Sequence, residues 1–194
     1  MTLNFADLSA LVRLTLTQPR AAAQAVMRLP LPMSGRWSAL LLMATLSALL
    51  MQVLGAMLPP SVGPDGEALR PVGPLVWAGM VTVGMMITAG LAHSVGRWRG
   101  GKGEFADALI LVAWLQFLQL LLVVVQILLM LVVPPLAPVV EIGGVLLFLW
   151  LLVNFVAEMH GFKSLGLVFL GVILTFVGAV FALSILMMAL GVGL

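Results

Sequence analysis

Five long apolar stretches dominate the pattern of hydrophobic and polar positions, and polar residues cluster between them. The stretches cover residues 37–58, 75–95, 105–133, 139–157 and 165–190. Each approaches or exceeds the roughly 20 residues that a helix needs to cross a bilayer. The third is long enough to tilt or to carry an interfacial first turn. Outside them the longest piece is residues 1–35, too short for a separate soluble domain. The pattern predicts an all-α, polytopic membrane protein: a five-transmembrane-helix bundle over residues 36–194, preceded by a short N-terminal region.

That region has its own periodicity. Phe5, Leu8, Leu11, Val12 and Leu16 recur at helical spacing. Thr17-Gln18-Pro19 then breaks the pattern, with proline suited to the first turn of a second helix and Thr17 to its cap. The second helix is expected over residues 21–29, with Arg20 and Arg28 towards solvent, until Pro30 and Pro32 end it. Such a pair reads as amphipathic cytoplasmic or interfacial helices, held to a leaflet or to a partner. Arg13, Arg20 and Arg28 interrupt any apolar run here, so no signal peptide is expected.

Composition sharpens the membrane reading. The chain is 63% hydrophobic and 8% charged, against about half and about a quarter in soluble domains. It contains no cysteine, which removes disulfides, thiol catalysis and cysteine-ligated metal. Its 9 basic residues against 7 acidic ones point to membrane topology rather than to nucleic acid. Arg13, Arg20, Arg28 and Arg36 precede the first span, Arg97, Arg99 and Lys102 lie between the second and third, and Lys163 lies between the fourth and fifth. With five spans these regions share one face, which the positive-inside rule makes cytoplasmic. Only Arg70, beside Asp65 and Glu67, falls on the other face. The N-terminus is therefore expected in the cytoplasm and the C-terminus across the membrane. Pro59, Pro60, Pro64, Pro71 and Pro74 bound the first outer loop, and Pro134, Pro135 and Pro138 form the second. Trp37, Trp77 and Trp98 sit at span ends, where indoles prefer to lie.

Candidate chemistry is sparse. Gln116, Gln119 and Gln126 share one face of the third span, and amides in hydrocarbon need partners. Interhelical hydrogen bonding is the favoured reading, and a polar path for a solute is the sharper one. In the fifth span Gly171, Thr175, Gly178 and Ala182 form a stripe of small residues suited to close helix packing, within the bundle as the favoured reading or across a homodimer as the alternative. "RGGKGEF" is a poor phosphate loop, because glycine follows Lys102 and a span precedes it. It leaves two readings: a basic turn, or Arg97, Arg99 and Lys102 with the glycine amides around a lipid phosphate. His93, Glu104, Asp107, Asn154, Glu158 and His160 gather at the cytoplasmic boundary. Their spacing lacks two ligands one helical turn apart, so ion pairs and helix capping are expected rather than a metal or a catalytic set. No cofactor is expected.

The order of parts resembles the Yip family (Ypt/Rab-interacting proteins), five-span membrane proteins, in its bacterial branch. The resemblance rests on "TLTQPRAAAQAV" before the first span, "GGKGEFADAL" entering the third and "FVAEMHGFKS" leaving the fourth. It implies a cytoplasmic N-terminus and, for this branch, no defined activity. Eukaryotic members bind membrane-anchored small GTPases and carry an acidic-Leu-Tyr-Gly-Pro motif; this chain has no tyrosine, so that activity does not carry over. The leading expectation is a non-catalytic protein of the bacterial cytoplasmic (inner) membrane, an accessory subunit, scaffold or membrane organiser. Its partners are membrane lipids and another membrane protein or itself. The alternative is a small solute transporter or channel.

Overall fold

A computed structural model describes residues 4–58, 63, 66 and 72–189. Seven α-helices follow one another: α1 (Phe5–Thr17), α2 (Pro19–Met27), α3 (Met33–Met57), α4 (Pro74–Trp98), α5 (Phe105–Val132), α6 (Ala137–His160) and α7 (Leu165–Ala189). A short 3-10 turn, Pro134–Leu136, joins α5 to α6, and no strand occurs among the described residues. α3 to α7 are the five helices long and apolar enough to cross a membrane. Most of the first outer loop, with Pro59, Pro60, Pro64, Asp65, Glu67, Arg70 and Pro71, lies outside the described residues, as does Leu190.

Local chemistry sets the helix ends. Asn4 caps α1 through its Oδ1, which accepts from the Asp7 amide at 2.8 Å, while Asp7 returns a bond to the Asn4 amide. Pro19 opens α2 from the first turn, where its missing N–H costs nothing. The residue before it is Gln18, not the expected Thr17 cap, and it makes no side-chain cap bond. Pro138 lies within the first turn of α6 rather than in the connecting loop, as proline's fixed φ allows there. α4 and α6 both end on a left-handed glycine, Gly100 (φ 86°) and Gly161 (φ 73°). In each case the following amide folds back to a carbonyl five residues earlier, Gly101 to Gly96 at 2.9 Å and Phe162 to Ala157 at 2.8 Å.

α5 is the central element. Every residue from Ala108 to Leu115 is buried, so this part of the helix is covered all round. α3, α4 and α6 pack around it, and α2 closes the ring near its first turns. α5 has 28 residues, about 42 Å at about 1.5 Å each, beyond a hydrocarbon core of ~30 Å. Its excess length lies inside the sheath that α1 and α2 complete. At the opposite end the helices thin out, and Leu128, Leu131 and Val132 are exposed. α7 stands furthest from the axis, with Val168 its only buried residue.

Candidate functional site

Most of the described ionisable residues, Glu141 excepted, collect at one end of the bundle, where α4 and α6 finish, α5 and α7 begin, and α2 lies across them. At its centre is His160, the last residue of α6 and 3% exposed. Its Nδ1 accepts from the Gly103 amide at 3.1 Å. A nitrogen that accepts an N–H carries no proton, so the proton is on Nε2, which donates to the Ala92 carbonyl at 3.0 Å. One face of the ring stacks on Phe162, with centroids 5.4 Å apart.

Three glycines make room for this ring. A Cβ on Gly96 or on Gly101 would run into the imidazole itself, and one on Gly103 would meet both the ring and Met159. The glycine-rich turn between α4 and α5 is therefore a shell around a buried histidine. That corrects the reading of its glycine amides as a phosphate cradle: the Gly101 amide is bound to Gly96 and the Gly103 amide to His160.

Several neighbouring polar groups are paired. Arg36, in the first turn of α3, meets Asp107 in the first turn of α5 at 3.0 Å, with side chains 13% and 26% exposed. The same guanidinium reaches the Leu31 and Met27 carbonyls at 3.4 and 3.5 Å, tying the α2–α3 connection to the bundle. Gln24 of α2 donates to the Glu158 carboxylate. Arg20 donates to the Phe162 carbonyl at 3.0 Å, so it turns inward rather than to solvent as expected. The Trp114 indole donates to Thr15, at 3.1 Å, and Thr15 is fully buried on α1. The apolar face of α2, with Ala22, Ala23 and Val26, is thus buried against protein.

The remaining candidates separate. Asn154 is buried and donates to the Trp150 carbonyl of its own helix at 2.8 Å, not across the bundle. His93 turns its ring edge towards Phe105, at 6.0 Å between centroids. Glu104 precedes α5 and makes no side-chain cap bond. Among the described residues no three of these groups come together. Gln116 donates to Ser47 of α3 at 2.8 Å. Gln119 lies on the other side, near Gly144 of α6, and Gln126 is half-buried further out. The stripe on α7 does not make the expected close approach. A Cβ on Gly171 or Gly178 would have nothing within 4 Å, and Ala182 is exposed. Gly171 and Thr175 instead face a cleft of about 680 Å³ between α4, α6 and α7. Arg99 and Lys163 stand in that cleft's lining, while Arg97 and Lys102 are exposed elsewhere.

Sequence reasoning missed the histidine shell, and with it the roles of Gly96, Gln24, Arg36 and Thr15. The available signal was the pairing of two glycine-bearing helix ends with a single histidine. Five apolar helices, four of them arranged about the central α5, with most of their ionisable residues at one end, define an all-α integral membrane protein. The chain belongs to the Yip1 domain family, which it matches over residues 13–186. No curated protein and no solved structure matches it. Within the matched range, the three stretches that carry the resemblance meet in space: Gln24 on Glu158, Arg20 on Phe162 and Gly103 on His160.

Proposed function

We propose that this is a non-catalytic membrane protein that works through contacts with another membrane protein and with lipid, as an accessory subunit or scaffold. One observation carries the reading. Three of the ionisable groups at the basic end are engaged in holding helices together, His160 between α4 and α5, Asp107 on Arg36 and Glu158 on Gln24. A catalytic group must instead face a substrate. In this reading α1 and α2 form one unit with the basic end, and that end lies in the cytoplasm of a bacterial cell, with the C-terminus across the inner membrane. The basic residues of the connections support this orientation.

Affinity purification of the full chain in a mild detergent, followed by mass spectrometry, tests the proposal. A stable membrane-protein partner, or a defined homo-oligomer, is the expected result. A chain that repeatedly purifies alone as a monomer overturns the accessory-subunit reading. A reporter fused after Leu194 should read as non-cytoplasmic, and a cytoplasmic signal would reverse the topology. The transporter alternative loses support from the glutamines, since Gln116 is bonded to α3 while Gln119 faces α6.

A further inference from the structure

The cleft between α4, α6 and α7 has walls of one kind and a mouth of another. Leu91, Val95, Phe148, Leu152, Val168 and Phe176 form much of its wall. Two threonines lie within it, and both hydroxyls are satisfied by their own helices: Thr88 donates to Gly84 at 2.8 Å and Thr175 to Gly171 at 2.7 Å. No threonine donor is left over for a polar solute, so the wall presents methyl groups. At the basic end the lining changes to Arg99, Lys163 and Ser164. Neither cation has a carboxylate partner among the described residues, where the one ion pair is Arg36 with Asp107.

Dimensions agree with this division. The volume of about 680 Å³ lies within the usual range for a small-molecule site. From Leu165 to Phe176 α7 runs 12 residues, about 18 Å at about 1.5 Å each. One leaflet of a ~30 Å hydrocarbon core is about 15 Å deep. The cleft therefore spans about one leaflet, apolar through its depth and cationic where that leaflet meets water.

We propose that the cleft is a binding site for one anionic phospholipid, with an acyl chain against α4, α6 and α7 and its phosphate between Arg99 and Lys163. Positive side chains between helices at a membrane surface recognise such headgroups. This differs from a phosphate held on the glycine turn, whose amides at Gly101 and Gly103 are engaged. It also deepens the contact reading above: a partner protein recovered without bound lipid would leave that reading standing and remove this one.

Native mass spectrometry of the full chain in non-ionic detergent tests it, using phosphatidylglycerol and phosphatidylcholine with the same acyl chains. Phosphatidylglycerol should be retained in preference, at one copy per chain. Arg99→Gln or Lys163→Gln should each weaken its retention about fivefold, and the pair about thirtyfold, while Arg97→Gln leaves it unchanged. Gly171→Phe adds a side chain to the cleft lining at a position where a Cβ meets nothing within 4 Å, and should displace the acyl chain and lower retention of phosphatidylglycerol. Equal retention of the two lipids, wild-type retention by the double variant, or wild-type retention by Gly171→Phe would each overturn the proposal. An unchanged melting temperature in detergent shows that each variant is folded.

Discussion

The imidazole of His160 occupies the space that a side chain on Gly101 would need. The ring is also bonded on both nitrogens, to Gly103 and to Ala92, so it has little freedom to step aside. Gly101→Ala should therefore destabilise the protein by about 1–3 kcal/mol, the usual cost of overpacking. Thermal unfolding in detergent measures this. Gly84→Ala is the control: its Cβ meets nothing within 4 Å, and replacing a mid-helix glycine with alanine should gain about 0.5–1 kcal/mol. In a chain that already carries His160→Ala, Gly96→Ala, whose nearest clashes are all with ring atoms, should cost much less than it does alone, while Gly101→Ala should still be costly because the Cβ of residue 160 remains in its way.

The pair of Arg36 and Asp107 joins the first turns of α3 and α5. It is only partly exposed, and the arginine also holds two carbonyls of the α2–α3 connection. Its strength should fall between an exposed pair and a buried one. Arg36→Ala should cost about 1–3 kcal/mol, more than Asp107→Asn, which leaves the carbonyl contacts in place. A double-mutant cycle by thermal unfolding separates the two parts.

Thr15 and Trp114 fasten α1 to the central helix. Thr15→Val keeps the volume but removes the acceptor of a buried indole N–H. A loss of about 1–3 kcal/mol is expected, together with faster cleavage at Arg13 by trypsin. Thr15→Ser retains the hydroxyl and should behave like the parent in both measurements.

Gln116 makes one bond across to α3, with Ser47 as its partner. Between membrane helices such a bond is worth ~0.6 kcal/mol. Gln116→Leu should therefore lower the unfolding temperature only slightly, and Gln116→Leu with Ser47→Ala should cost no more than Gln116→Leu alone. A large collapse on Gln116→Leu would contradict this small role.

The helices were legible in the sequence because their signal is local. Within the described residues the helices Phe105–Val132 and Leu165–Ala189 occupy the expected stretches 105–133 and 165–190. The first span began four residues earlier than expected, at Met33, because Arg36 lies inside the helix on Asp107 rather than before it. The candidate site was less legible, since its contacts join residues far apart in the chain. Charge placement marked His93, Glu104, Asp107, Glu158 and His160 as neighbours in depth, yet depth does not say which groups touch. Gly96 looked like an ordinary glycine in an apolar helix, and only the position of His160 explains it. The small residues of α7 show the reverse case: spacing suggested a contact, while their helix sits too far from its neighbours to make one.

A rigid ring wedged among three backbones removes sliding as a degree of freedom. α4 and α6 cannot shift in register without driving the His160 imidazole into Gly96 or Gly101. They move as one body with the start of α5, which is bound to the same ring through Gly103. α7 lies outside that constraint, joined beyond the left-handed Gly161 and anchored by little more than Val168. Phe162 is itself pinned, by His160, Arg20 and Ala157, so a change in the width of the cleft is a swing of α7 about Lys163–Ser164, against a stator formed by the other helices.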